Sequence, residues 1–303
     1  MHNAIEYLLR KERIELKEPK ISILMVSFNQ VLFLREAITS VRAQDFSNWE
    51  LICVDPGSSD GSREIIEEFS RIDQRIRFYF QSDQGPADGL NIALSKSKGQ
   101  IFGCLNSDDM YSPGTLSRVS KAFSKNPTAA CIYGHGFVLK DKTMSPLTSD
   151  HFSPTRYFKG KGLVVQQSTF FLKAQIMEHN LKFNISNKSC WDGELLIDCS
   201  LANLHFVRVH DFWGIFRIHK ASITGSQNSL SQYEFDLKML LEKMQGKYHL
   251  RKRFGLEVQM YAVYRKCRNL LFLFLFSPKA NNLSRWRYSN FYNIALRDWK
   301  GKE

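Results

Sequence analysis

No Cys-x-x-Cys pair occurs in the 303 residues, and the six cysteines (Cys53, Cys104, Cys131, Cys190, Cys199, Cys267) are scattered, several of them where a small hydrophobic side chain would serve. A structural zinc site and a disulfide framework are therefore not expected, and a reducing compartment is. No Gly-x-Gly-x-x-Gly and no Gly-Lys-Ser/Thr loop is present, which removes the dinucleotide fingerprint and the P-loop. Long hydrophobic stretches are missing as well: the longest apolar run, residues 270–276, is far short of the roughly 20 residues that cross a bilayer. Residues 1–20 alternate charged and apolar side chains without a continuous apolar core, so no signal peptide is expected. Acidic residues are in deficit, 30 Asp and Glu against 42 Lys and Arg, giving +12 and a pI near 9.4. That balance points to anionic partners: nucleotide phosphates, an acidic membrane face or nucleic acid.

What is present is a regular alternation. Residues 4–16 have the spacing of an amphipathic helix that stops at Pro19. Residues 21–27 read as a buried strand, followed by a helix on which Leu34, Ile38 and Val41 recur at i, i+4, i+7. A second strand, residues 49–55, runs into the turn Pro56-Gly57-Ser58-Ser59-Asp60-Gly61 and a helix carrying Ile65, Ile66 and Phe69. A third strand (76–80), a turn (82–86) and a helix (87–97) lead to a fourth strand beginning at Ile101. Repeated strand, turn and helix predict a parallel sheet covered by helices.

Polar residues gather where these strands end: Ser27 and Asn29, then Asp55, then Asp83 and Gln84, then Asp108 and Asp109. That edge of an open α/β sheet is where ligands bind. Asp108 and Asp109 lie in a turn between the fourth strand and Ser112-Pro113, which read as the N-cap and first position of the next helix. Paired carboxylates there suit a hard divalent cation carrying a substrate's phosphates, while a solvated loop with a capping Asp is the plainer alternative.

The motifs Val26-Ser27-Phe28-Asn29, Val54-Asp55-Pro56-Gly57-Ser58-Ser59-Asp60-Gly61-Ser62, Asp83-Gln84-Gly85 and Leu105-Asn106-Ser107-Asp108-Asp109 occur in this order. Gln166-Gln167-Ser168-Thr169-Phe170-Phe171, Trp191-Asp192-Gly193-Glu194-Leu195 and Phe216-Arg217-Ile218-His219-Lys220 follow them. Together they make about two-thirds of the chain resemble inverting glycosyltransferase family 2. The resemblance implies a GT-A, Rossmann-like fold: a mixed, mostly parallel sheet covered by helices. The expected organisation is a lead-in over 1–20, a catalytic domain over 21–225 (nucleotide-binding half 21–114, acceptor half 115–225) and a helical extension over 226–303.

The resemblance also implies roles. Ser27, Phe28 and Asn29 would lie against the nucleotide, with Asp55 accepting an N–H of the base. Pro56 stands where the family usually has a second acid. Asp83, Asp88 and Asn91 would contact the donor sugar or diphosphate. Asp108 and Asp109 stand at the metal motif, Asp109 as the direct ligand and Asp108 shared with the ribose, for Mn²⁺ or Mg²⁺. His219 would be a third ligand, Arg217 or Lys220 a phosphate contact, and Gln167 a contact to acceptor or donor hydroxyls. Asp192 is the expected general base, with Glu194, in the same first helical turn, as its rival; a carboxylate at a helix start is also favoured by the helix dipole alone. His135, His205 and His210 are given no functional role.

From residue 251 onward, basic residues interleave with Tyr261, Tyr264 and the 270–276 run, and Arg285-Trp286-Arg287-Tyr288 repeats the mixture. This reads either as an interfacial anchor on an anionic leaflet or as a helical subdomain packed on the sheet or on another subunit. The expected activity is metal-dependent, inverting hexosyl transfer from a nucleoside-diphosphate sugar to a glycan or lipid-linked hydroxyl, in cell-surface polysaccharide biosynthesis. The expected place is the cytoplasm, peripheral on the inner membrane face. A non-catalytic nucleotide-sugar or membrane-binding protein on the same fold is the alternative. Nucleic acid is not an expected partner, because the basic residues sit in an apolar-rich tail without a reading motif.

Overall fold

The computed structural model describes residues 21–141, 143–219 and 227–245. β1 (Ile21–Val26), β2 (Trp49–Asp55), β3 (Ile76–Phe80) and β4 (Ile101–Cys104) alternate with α1 (Val31–Arg42), α2 (Ser62–Ile72) and α3 (Pro86–Lys96). These strands lie parallel in the order β3-β2-β1-β4, with Ile21 opposite Trp49 on one side and Ile101 on the other. The expected α/β, mixed-sheet fold is the one observed.

The near-continuous apolar runs of β1 and β2 follow from cover on both faces. Ile21, Ile23 and Met25 pack with Leu34, Ile38, Ile66 and Phe69 from α1 and α2. Leu24, Ile52 and Val54 face the other way, onto Leu90, Ala93 and Leu94 of α3.

The second half extends the same sheet with reversed strands. After β5 (Met110–Tyr111) and α4 (Thr115–Lys125) come β6 (Cys131–Lys140), β7 (Thr143–Leu147) and α5 (Pro154–Phe158). A 3-10 turn (Gln166–Ser168) then leads into β8 (Thr169–Leu172), α6 (Lys173–Glu178), α7 (Trp191–Leu201) and β9 (Phe206–Ile218). β8 is antiparallel to both β4 and β6, β9 is parallel to β6, and β5 is antiparallel to β9. The last described helix is α8 (Gln227–Gln245).

One expectation is corrected. Ser112 does not cap the helix after the Asp pair: Gly114 stands at that position at φ 69°, and the helix starts at Thr115. The Ser112 peptide is spent elsewhere, its N–H donating to the Trp213 carbonyl and its carbonyl accepting from Gln44 Nε2. At the start of the expected extension, Leu240 and Met244 of α8 meet Ile197 of α7. Lys220, the lead-in over 1–20 and the basic-aromatic tail beyond 245 lie outside the described residues.

At the sheet edge away from the polar loops, Glu50 is nearly sealed. Its Oε1 accepts from Ser22 Oγ (2.7 Å) and the amides of Lys98 (2.6 Å) and Gly99 (3.0 Å), and its Oε2 from Arg77 (2.7 Å). Removing the carboxylate leaves the Lys98 amide and the Arg77 charge without this acceptor, although Gly99 keeps Ser22 Oγ and Arg77 keeps the Lys96 carbonyl. Glu50→Ala should therefore lower stability by about 3–5 kcal/mol, read as a lower urea midpoint.

Candidate active site

The first two loops are stitched together by their own polar side chains. Asn29 adopts the left-handed conformation (φ 52°), which asparagine tolerates better than most residues. Its N–H donates to Ser58 Oγ (2.8 Å), while its Oδ1 accepts from the Ser59 amide (3.0 Å). Gln30 provides no side-chain cap for α1. The caps come from the neighbouring loop instead: the amide of Gln30 donates to Ser62 Oγ and that of Val31 to Asp60 Oδ2.

Asp55 accepts from the amides of Gly57 (3.0 Å) and Ser58 (2.8 Å), from Ser58 Oγ (2.6 Å) and from Arg63 Nε (3.0 Å). Arg63 in turn lies over the Phe80 ring, 4.4 Å from its centroid. Beside this lattice, Ser27 Oγ is buried without a hydrogen-bond partner and Phe28 is 57% exposed. An orphaned hydroxyl and an open aromatic face are what a flat heterocycle requires.

At the third loop, Asp83 accepts from the Gly85 amide and Asp88 from the Gln84 amide, shaping the entry to α3. Burial, helped by Asp88 and Asp55, pushes the Asp83 carboxyl above its usual range. The Asn91 expectation is corrected. Its side-chain amide donates to the Phe183 carbonyl (2.8 Å) and accepts from the Phe183 amide (3.0 Å), so it ties α3 to the segment before α7.

The fourth loop holds the two adjacent aspartates in unequal roles. Asp109 is sealed from solvent. Its Oδ1 accepts from the Arg217 amide (2.8 Å), and its Oδ2 from Gln167 Nε2 (2.6 Å) and Asn106 Nδ2 (3.0 Å). Burial and the neighbouring Asp108 hold its carboxyl well above the usual range, in spite of those donors. Asp108 reaches toward solvent, and its Oδ2 lies 3.0 Å from His219 Nε2.

Asp109, expected as the direct ligand, accepts three hydrogen bonds from the protein, while Asp108 meets His219 with one oxygen. Two cis ligands held at about 2.1 Å from one octahedral ion stand about 3.0 Å apart, so the Asp108–His219 pair fits one edge of such a shell. Among the described residues no group of three His, Cys, Asp or Glu side chains forms a complete cage. The remaining positions would fall to substrate oxygens and water.

Arg217 is also corrected. Its guanidinium donates to Glu36 (2.5 Å) and to the Asp108 carbonyl (2.8 Å), and it stacks over Phe33, which makes it a brace for the loop. Gln167 is spent on Asp109 and is no contact to a sugar hydroxyl. Glu36 and Asp60 escaped the sequence reading because their partners lie 181 and 29 residues away, and no local pattern marks such pairs.

Asp192 opens α7 and lines a small, largely apolar hollow with Cys104, Gln166, Thr169, Phe171 and Phe183. Cys104 ends the strand that feeds the aspartate pair, and Gln166 precedes the residue bound to Asp109. Burial pushes the Asp192 carboxyl above its usual range, although the Gly193 amide pulls the other way. Glu194 is removed as the rival base. Burial alone would raise its carboxyl, but Lys243 (2.8 Å), Asn187 and Asn184 hold it below the usual range in a closed network.

The sequence profile of glycosyl transferase family 2 matches residues 22–180, just over half of the chain. The chain belongs to this family. Relatives include the GalNAc(5)-diNAcBac-PP-undecaprenol beta-1,3-glucosyltransferase of Campylobacter jejuni, 29% identical over 147 residues, 48% of this chain and 44% of that protein. The putative glycosyltransferase EpsH of Bacillus subtilis is 24% identical over 242 residues, 77% of this chain and 65% of that protein. The chain spans about half the length, 44 and 50%, of the first two curated relatives it matches.

Among solved structures, S. aureus TarS 1-349 in complex with UDP-GlcNAc aligns with a TM-score of 0.58 at 16% identity, over 72% of this chain and 65% of that one. The mannosyltransferase PcManGT of Pyrobaculum calidifontis, in complex with GDP-Man and Mn²⁺, aligns with a TM-score of 0.52 at 13% identity, over 99% and 95%. These likenesses establish the GT-A fold of this family member.

Because the folded state favours protonated Asp192, its charge weakens folding increasingly as pH rises from the unfolded-chain value through the raised native one. Asp192→Asn should therefore raise the melting temperature at pH 7, an advantage that shrinks toward zero below about pH 4, the ordinary aspartate range. Thermal melts across pH check it.

Proposed function

We propose that the protein is a metal-dependent, inverting glycosyltransferase that moves a hexose from a nucleoside-diphosphate sugar to a hydroxyl of a lipid-linked or surface-polysaccharide acceptor. The observation that carries this reading is the gathering of the polar loops at one sheet edge, with Asp108 Oδ2 3.0 Å from His219 Nε2 and with Asp192 beside Cys104, which ends the strand that feeds the Asp pair. Family membership, and relatives and neighbours whose names specify sugar transfer or nucleotide-sugar complexes, support it.

Ser27, Phe28, Asn29 and Asp55 form the nucleotide end, with the orphaned Ser27 hydroxyl offered to the base. Asp83 and Asp88 shape the wall on the diphosphate side. Asp108 and His219 would hold Mn²⁺ or Mg²⁺, which when bound supplies charge neutralisation for the departing diphosphate. Asp109 fixes the backbone beneath them. Asp192 takes the proton from the acceptor hydroxyl as that oxygen attacks the anomeric carbon opposite the leaving group, and one such displacement inverts the centre. Its partly desolvated carboxylate is a stronger base than an exposed one.

The acceptor class draws on the Campylobacter relative, named for an undecaprenyl-linked substrate. Such an acceptor sets the enzyme at a membrane face, in keeping with the basic and aromatic composition of the sequence beyond residue 250. Among the described residues no helix is long and apolar enough to cross a membrane.

Asp192→Asn should lower turnover by about 10²–10⁴-fold while a nucleoside diphosphate still raises the melting temperature in Mn²⁺; unchanged turnover sinks the assignment. In the wild type, kcat should fall on acidification at a pH above the ordinary carboxylate range, since only ionised Asp192 accepts the proton. Asp108→Asn and His219→Ala should each remove the Mn²⁺-dependent part of the nucleotide's thermal stabilisation, measured by differential scanning fluorimetry.

A further inference from the structure

Helix α1 buries Leu34, Ile38 and Val41 in the core, yet its first turn carries a ring that takes no part in that packing. Phe33 is half-buried and belongs to none of the apolar clusters formed by the described residues. Its ring instead meets two polar side chains, one from the end of β9 and one from the residue after it. The centroid of the His219 imidazole lies 4.3 Å from that of Phe33, with 40° between the planes, and the Arg217 guanidinium carbon lies 4.9 Å from the same centroid. Aromatic pairs ordinarily stand about 4.5–7 Å apart, so the contact with His219 is a close one.

The place of Phe33 is itself fixed. Its amide donates to the Gln30 carbonyl (3.0 Å), and the amides of Gln30 and Val31 are held by Ser62 Oγ (2.9 Å) and Asp60 Oδ2 (3.0 Å). Glu36, one turn on and on the same side of α1, takes the Arg217 guanidinium. The ring therefore stands on a support that the loops after β1 and β2 make rigid. A histidine free to turn about its side-chain bonds must be ordered each time it takes up an ion, which costs affinity. One already packed against a fixed ring has lost that freedom beforehand.

We propose that Phe33 is a positioning residue for the cation: its ring holds the His219 imidazole beside Asp108, so that the pair is set before ion and nucleotide arrive. The inference rests on the reading of Asp108 and His219 as metal ligands and goes beyond it by naming what keeps the second of them in place.

The test is differential scanning fluorimetry on the full chain with excess UDP or GDP, as Mn²⁺ is titrated into metal-free protein. Phe33→Leu and Phe33→Met keep apolar bulk and remove the ring, whereas Phe33→Tyr keeps it. Each ring-free variant should need about 3- to 10-fold more Mn²⁺ to reach half of the metal-dependent shift, the weight of one aromatic contact. Phe33→Tyr should titrate like the wild type. The shift that the nucleotide gives in EDTA should be the same in all of these proteins. In histidine-selective NMR without metal, the His219 signal, identified by its loss in His219→Ala, should move in both ring-free variants and keep its place in Phe33→Tyr.

The proposal is overturned if the ring-free variants titrate like the wild type, if they lose the metal-free shift to the same extent, if Phe33→Tyr behaves as they do, or if the His219 signal does not move. A Mn²⁺-dependent shift that survives loss of the ring unchanged defeats only this inference. No Mn²⁺-dependent shift in the wild type with either nucleotide defeats the metal site itself, and this inference falls with it.

Discussion

A buried carboxyl group governs the architecture of the site. Asp109 sits where water does not reach, and an isolated carboxylate there would be untenable. It persists because Asn106 from its own loop, Gln167 from the 3-10 turn and the Arg217 peptide from β9 all point donors at it. Those groups come from separate parts of the chain, so the carboxylate acts as a keystone that fixes β4, β5, β9 and the turn before β8 in one relation. Asp108 is presented outward as a consequence of that fixing.

The remaining loops obey a similar economy. The side chains of Asn29, Ser58, Asp60 and Ser62 satisfy backbone groups across the loops after β1 and β2, leaving Phe28 exposed and the Ser27 hydroxyl buried without a partner. Arg217 draws α1 into the arrangement through Glu36. The acceptor side is built differently, from helices: α7 carries Asp192, and α5 and α8 pack on it. The sheet thus carries the polar loops, and the helical cover carries Asp192.

The sequence disclosed the sheet because apolar runs and turn residues are local signals. β1 and β2 read correctly from their Ile, Leu and Val content. Asp108 and Asp109 were marked by the turn in which they lie, Asp192 and His219 by the family resemblance. What each would do was less legible. Asp109 was expected to bind an ion and Asn91 and Gln167 to bind substrate, yet all three are occupied by partners distant in sequence. Glu194 and Asp192 looked equivalent two residues apart; only Lys243 and Asn187, arriving from elsewhere, tell them apart. Local pattern places a polar side chain at an edge, and tertiary contacts decide whether it is left over for chemistry.

The bond from the Arg217 peptide to Asp109 bears on how this site can vary. Because the donor is main chain, the anchorage of Asp109 is indifferent to the side chain at 217, and proline alone would sever it by lacking the hydrogen. The guanidinium's bonds to Glu36 and the Asp108 carbonyl, by contrast, require arginine itself. One residue therefore divides its labour between a main-chain duty that any residue but proline could perform and a side-chain duty that arginine alone performs.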